Sequence, residues 1–181
     1  MEYPEEYLEN LKRVLEIEGA PTNHGWDPGG ATVFGISKNF WPQYWVDGPP
    51  TFETAKRFYW VEFWLALRLP ELKHAGLRAE IFEASVNCGF ANGAKFAQEA
   101  YNLLRPRGWP VLRLKDGTPG GDGDIGPMTL AALNNMCVRY ADSMLGGCNY
   151  FQACYYVSLN EGLKEEALRG WFAKRLKWPE S

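Results

Sequence analysis

Between Glu18 and Ile36 the chain stops reading as helix. Before that point, residues 3–17 repeat apolar side chains at helical spacing: Tyr7, Leu8, Leu11, Val14 and Leu15 fall on one face. Pro4, Glu5 and Glu6 suit the first turn of such a helix, and Lys12 with Arg13 its later part. Gly19 and Pro21 then end it, and residues 20–31 are dense in turn formers. Thr32 to Ile36 reads as a short strand, half of a small hairpin. A helical chain that must fit this loop and hairpin directly after its first helix is predicted to be mainly α with one small β element.

The rest of the chain keeps the helical theme. Asp47-Gly-Pro-Pro is a break, after which Thr51 is suited to cap a helix over 52–67, with Ala55, Phe58, Tyr59 and Phe63 among its apolar positions. Pro70 closes that section. Residues 76–88 are apolar on most sides (Leu77, Ile81, Phe82, Ala84, Val86), which predicts a central helix. Gly89 and Gly93 flank a turn, and 94–104 continue as helix. Residues 105–123 are the clearest irregular segment. Pro127 then opens a helix through Leu130 and Leu133, and stretches near 150–163 and 165–177 finish the chain. There is no internal repeat and no low-complexity tract.

A length of 181 residues suits one domain, or one with a small appended lobe. The net charge of −3 argues against nucleic acid, which asks for a basic face, and gives no long-range pull toward anionic cell walls. Eight Trp are compatible with carbohydrate binding, but large aromatics also fill cores, so their number decides little. Cys88, Cys137, Cys148 and Cys154 fall at no zinc-ligand spacing, and His24 and His74 are far apart. The expectation is reduced thiols, no metal and no cofactor. The acidic start Met-Glu-Tyr-Pro-Glu-Glu does not read as a secretion signal, and no apolar run approaches the ~20 residues of a membrane span.

Three residues around the break carry candidate chemistry. Glu18 ends the first predicted helix, where the negative end of the helix dipole and neighbours such as Ile17 disfavour its charged form. A general acid that protonates a glycosidic oxygen near neutral pH needs such an environment. Asp27 follows in Asp-Pro-Gly-Gly and Thr32 opens the strand. Each alone has a plain structural reading: a solvated helix-end glutamate, a turn-initiating aspartate, a β-branched strand residue. Together, an acid facing a second acid and a hydroxyl across a turn is what cleavage of a glycosidic bond requires.

The segment resembles the phage-type lysozymes, with a Glu ending the first helix and an Asp and a Thr following around a hairpin. It resembles more closely glycoside hydrolase family 108, the N-acetylmuramidases of phage endolysins and prophages, through Glu18-Gly19 and Asp27-Pro28-Gly29-Gly30-Ala31-Thr32-Val33-Phe34-Gly35-Ile36. Ala20 stands where that family's pattern has a second glycine, and Pro21 where an aromatic is usual. Tyr59, Trp60 and Trp64 are similar to a Tyr-x-x-x-Tyr-Trp region, Ala84 to Gly89 to a helix end, and Gln98 to a later glutamine. Asp122 to Thr129, and Gly170-Trp171 with Arg175, resemble a C-terminal segment described as peptidoglycan-binding.

The resemblance implies a lysozyme-like catalytic region over 1–105 and a helical C-terminal region over 106–181, packed into the same globule. It implies cleavage of the β-1,4 bond between N-acetylmuramic acid and N-acetylglucosamine, with Glu18 as acid and Asp27 and Thr32 as its partners. Trp26, Asn87 and Gln98 are the candidate sugar contacts, although Asn87 and Gln98 each also suit a buried structural amide. Trp41, Trp45 and Trp109 are further stacking candidates, while Trp60, Trp64 and Trp171 read as core. The Gly/Asp-rich loop from Asp116 to Asp124 lacks the oxygen pattern of a calcium site. The expected partner is bacterial peptidoglycan, met by a monomer held in a host cytoplasm until release, or carried in a virion. A wall-binding or virion structural module without turnover, and an enzyme acting on chitin, stay open on these residues.

Overall fold

The computed structural model describes residues 2–18, 31–159, 169–170 and 173. Its chain divides into two compact units, residues 1–66 and 67–181.

In the first unit, α1 (Glu5–Glu18) carries acids in its first turn and buries Tyr7, Leu11 and Val14, the i, i+4, i+7 stripe its sequence predicts. Leu8, on the edge of that stripe, stays exposed. A two-stranded antiparallel hairpin follows, β1 (Thr32–Val33) and β2 (Ile36–Ser37), with Thr32 opposite Ser37 and Val33 opposite Ile36. The single turn of 3-10 helix at Pro42–Tyr44 leads to α2 (Phe52–Tyr59). Thr51 caps α2 as expected, its hydroxyl accepting from the Thr54 amide at 3.2 Å.

The predicted 52–67 helix is α-helical only to Tyr59; Trp60–Leu65 continue as a π-helical turn. That wider turn keeps Trp60 and Trp64 together against Tyr7, with ring centroids 4.9 and 5.3 Å away. Phe58, buried on the other flank of α2, meets Trp41 and Tyr44 edge-on, each at 5.0 Å. Burial of each such side chain contributes roughly 1.5–3 kcal/mol, so α1 and α2 are held chiefly by aromatic packing.

The described residues of the second unit are built on three long helices. In α3 (Ala75–Cys88) buried residues point in all directions, as its sequence predicts for a central helix, and α3 packs on both α4 (Phe90–Leu104) and α5 (Pro127–Ser158). His74 caps α3 through Nδ1, which accepts from the Leu77 amide at 3.2 Å. α4 begins at Phe90, earlier than the predicted 94. Gly89, at φ +103°, turns the chain within one residue, so no longer loop is needed. α5 spans Pro127 to Ser158 as two helical halves on either side of a kink at Tyr140 (φ −136°, ψ 38°), the first opened by Pro127 as the sequence predicts and the second reaching back before the predicted start near 150. The predicted 165–177 stretch falls almost wholly outside the described residues.

The irregular 105–123 segment is stitched to α4 by that helix's polar side chains. Tyr101 donates to the Pro110 carbonyl at 2.9 Å, and Arg105 to the Trp109 carbonyl at 2.8 Å. Asn102 both donates to and accepts from the Leu112 backbone at 2.9 Å. Loop backbone groups that would otherwise lose their partners on burial are satisfied in this way. The described residues are mainly helical, with a small β-hairpin after the first helix, as expected from the sequence.

Candidate functional site

Glu18 is the last residue of α1, at the position where the sequence expects an acid at a helix C-terminus. Asp27 and Trp26 lie outside the described residues. Thr32 opens β1, half-buried and paired with Ser37. The Lys38 amide closes the hairpin beyond that pair by donating to the Ala31 carbonyl at 2.9 Å.

The hairpin turns over two residues, Phe34 (φ +52°) and Gly35 (φ +73°). Two positive φ values are what a two-residue turn matched to strand twist demands. Glycine meets that demand freely; phenylalanine does so at a cost of roughly 1–2 kcal/mol. Tyr59 offsets the cost: its hydroxyl donates to the Phe34 carbonyl at 3.0 Å. The Phe34 ring also packs edge-on to Phe52, 6.1 Å away. On the second strand, the Trp45 indole donates to the Ile36 carbonyl at 3.3 Å, and Lys38 Nζ stands 5.9 Å from the Trp45 ring centre. Trp45, a stacking candidate in the sequence, is therefore also a hairpin anchor.

The same helix that holds the hairpin holds α1. Tyr7 donates its hydroxyl to the Lys56 carbonyl at 2.6 Å. Lys56 and Tyr59 are one turn apart on α2, so the helix that ends in Glu18 and the hairpin that begins with Thr32 share one frame. A polar pocket of about 340 Å³ opens in this unit, lined by Gln43, Tyr44, Asp47, Glu53, Thr54 and Arg57. Burial and a 2.7 Å hydrogen bond to the Glu62 carboxylate push the Tyr44 hydroxyl up to about 12.

Asn87 and Gln98 belong to the second unit and share no partner among the described residues. Asn87, in the last turn of α3, is half-buried and donates to the Tyr156 hydroxyl of α5. Tyr156 in turn accepts from Gln152 at 2.9 Å. Gln98 of α4 is 2% exposed, and its amide is fully engaged. Its nitrogen donates to Asp122 Oδ1 (2.8 Å), the Asp124 carbonyl (2.9 Å) and Thr129 Oγ1 (3.2 Å), and its oxygen accepts from the Gly123 amide (2.8 Å). Burial pushes the Asp122 carboxyl up, but hydrogen bonds from the Asp124 amide and from Gln98 leave it below its ordinary value. Trp109 lines a groove of about 480 Å³ with Tyr101, Leu112, Met128 and Arg139.

Sequence reasoning missed the two tyrosine hydroxyls. Tyr7 and Tyr59 read as apolar positions, and the partners of their hydroxyls lie 49 and 25 residues away. The one local signal was Gly35 in a two-residue turn, which announces a hairpin but not its anchor.

Comparison with known proteins agrees with this architecture. SagA of Brucella abortus, a solved structure, is similar with a TM-score of 0.64 over 93% of this chain and 88% of that one, at 22% identity. At that identity the likeness speaks for the fold. No curated protein matches the chain by sequence. The model of the family Glycosyl hydrolase 108 matches residues 11–89, a segment that ends at Gly89, directly after α3. The match agrees with the resemblance drawn from the motifs: residues 11–89, which hold Glu18, Asp27, Thr32 and Asn87, are similar to glycosyl hydrolase family 108.

Proposed function

We propose that the chain is a peptidoglycan hydrolase that cleaves the β-1,4 bond between N-acetylmuramic acid and N-acetylglucosamine. The observation that carries this reading is the common anchoring of α1, which ends in Glu18, and the Thr32 hairpin to α2, within a segment matching a glycosyl hydrolase family. Glu18 protonates the bridging oxygen as the bond breaks. Asp27 and Thr32 hold and activate the attacking water, or Asp27 stabilises positive charge at the anomeric carbon. A carboxyl separation of about 5–5.5 Å goes with retention of configuration and about 6.5–9.5 Å with inversion.

Trp26 stacks on a sugar ring, and Asn87 meets an N-acetyl or hydroxyl group with the part of its amide that Tyr156 does not occupy. Gln98, with its amide committed to the 122–124 loop, serves as a structural amide of the second unit. Residues 1–105 form the catalytic region and 106–181 the wall-recognising one. The protein works as a monomer that reaches peptidoglycan from a host cytoplasm or from a virion. Among the described residues, no helix is long and apolar enough to cross a membrane.

Glu18→Gln tests the assignment. It preserves the size and polarity of the side chain, and it should abolish release of reducing sugars from purified sacculi. Mass analysis of wild-type digests should show muramic acid at the new reducing ends. Full turnover by Glu18→Gln ends the reading. Ala20 and Pro21, which depart from the family's pattern directly after the acid, favour one alternative: a wall-binding module without turnover. Such a module would sediment with sacculi without clearing them.

A further inference from the structure

We propose that Tyr59 is a positioning residue, whose hydroxyl fixes the Thr32 hairpin to α2 and so sets where Thr32 stands relative to the helix that ends in Glu18. The kinetic part of this inference rests on the hydrolase reading above.

A hairpin of only two residue pairs does not hold its own geometry in water. Its turn adds strain, since Phe34 sits at φ +52°. External anchors must therefore fix it, and Tyr59 occupies the point of greatest leverage. It is 2% exposed, closes α2, and donates to the carbonyl of the strained residue itself. Its hydroxyl also fills the space beside Gly35: a Cβ on Gly35 would be driven into the Tyr59 oxygen. The fit requires glycine there on two grounds, a positive φ and this close approach.

α2 is a firm support for such an anchor. Thr51 caps its start, Phe58 is wedged between Trp41 and Tyr44, and Tyr7 binds the Lys56 carbonyl, which also accepts the Trp60 amide. Glycosidic cleavage asks the acid and its partners to hold position closely; a misplacement of about 1 Å can cost ~100-fold in rate. Two phenol hydrogen bonds engage α2 one helical turn apart, Tyr7 of α1 at the Lys56 carbonyl and Tyr59 to the Phe34 carbonyl, and supply that register, one for each half of the site.

The test uses the full chain and Tyr59→Phe, which keeps the ring and removes the hydroxyl. Two readouts are taken: amide hydrogen exchange at Lys38, whose N–H closes the hairpin, and kcat and KM on solubilised peptidoglycan. The expected result is exchange at Lys38 faster by about tenfold with α1 and α2 amides unchanged. With it, kcat should fall by about tenfold at a KM within about twofold of wild type. Gly35→Ala, which leaves Tyr59 in the chain but pushes its hydroxyl off Phe34, should reproduce both signatures and serves if Tyr59→Phe does not fold. Unchanged exchange at Lys38 overturns the proposal, as does faster exchange with an unaltered kcat. If wild type does not cleave peptidoglycan while Lys38 exchange still accelerates, the hydrolase reading falls and the anchor stands. If wild type cleaves and Tyr59→Phe matches it, the hydrolase reading stands and the anchor falls.

Discussion

Gly93 of α4 lies against Ser85 of α3 so closely that a Cβ at position 93 would stand 2.8 Å from the Ser85 backbone nitrogen, and nearer still to the Ser85 hydroxyl and the Ile81 carbonyl. Two of these three atoms are backbone of the central helix and have nowhere to go. Gly93 is thus what allows α3 and α4 to pack backbone to backbone.

Gly93→Ala should therefore force the two helices apart. Overpacking of a tight contact typically costs about 1–3 kcal/mol, and the gain of about 1 kcal/mol in helix propensity from Gly to Ala offsets only part of it. The expected outcome is a clear drop in the urea midpoint with an unchanged m-value. A midpoint equal to wild type would mean that the contact relaxes freely.

Gln98 is the second structural joint. One side chain of α4 makes four hydrogen bonds, three into the 122–124 loop and one to Thr129 in the first turn of α5. Gln98→Leu keeps the volume and strands the buried Gly123 amide, while the Thr129 hydroxyl keeps its bond to the Asp124 carbonyl at 3.3 Å. Each unsatisfied buried group costs about 1–3 kcal/mol. A loss of roughly 1–3 kcal/mol in chemical denaturation is expected, with amide exchange of Gly123 accelerating most. Stability within error of wild type would show that water replaces the glutamine fully.

How much of this was legible beforehand depends on how local the cause is. The α1 stripe and the Thr51 cap are set by residues within one or two turns, and both read directly from the sequence. The two-residue turn at Phe34-Gly35 was legible only as a hairpin, because Phe is an unusual occupant of a left-handed position and gave no Asn-Gly signal. Gln98 suits either a sugar contact or a structural amide in the sequence; its partners, 24 to 31 residues away, are what engage it. The extent of α5 was hidden for a related reason. Its midpoint break at Tyr140 is backbone geometry without a Pro or Gly at that residue.

The tyrosines also govern behaviour in alkali. Burial raises the hydroxyls of Tyr7 and Tyr101 above the ordinary tyrosine range, and burial together with the Glu62 carboxylate raises Tyr44 to about 12. A tyrosine in the unfolded chain ionises near 10. Between that value and its folded value, the unfolded chain binds fewer protons than the folded one, so stability must fall as pH rises. The contribution is fully present below about pH 10, and that of Tyr44 is lost by about pH 12. Urea midpoints taken from pH 9 to 12 should decline, and tyrosinate absorbance should rise later than in the urea-unfolded chain. Glu62→Gln should bring part of the absorbance change to lower pH; coincident curves for the two variants would remove Glu62 as a cause.

Thr32 separates a chemical role from a structural one more sharply than any other described residue. As an opening strand residue it needs only β-branching, which Val supplies; as a partner of the attacking water it needs a hydroxyl, which Ser supplies. Its pairing with Ser37 is through backbone, so neither substitution touches the ladder. If the hydroxyl orients water for attack, Thr32→Val should keep its melting temperature and lose about 100-fold or more in kcat, the usual worth of a positioned proton-transfer partner. Thr32→Ser should then retain most of the rate and lose slightly in stability, since Ser favours strands less than Thr. The opposite order, an active Val variant beside a weakened Ser variant, would make Thr32 a strand residue and leave water activation to Asp27. Steady-state rates on purified sacculi, taken with melting curves on the same preparations, decide between the two.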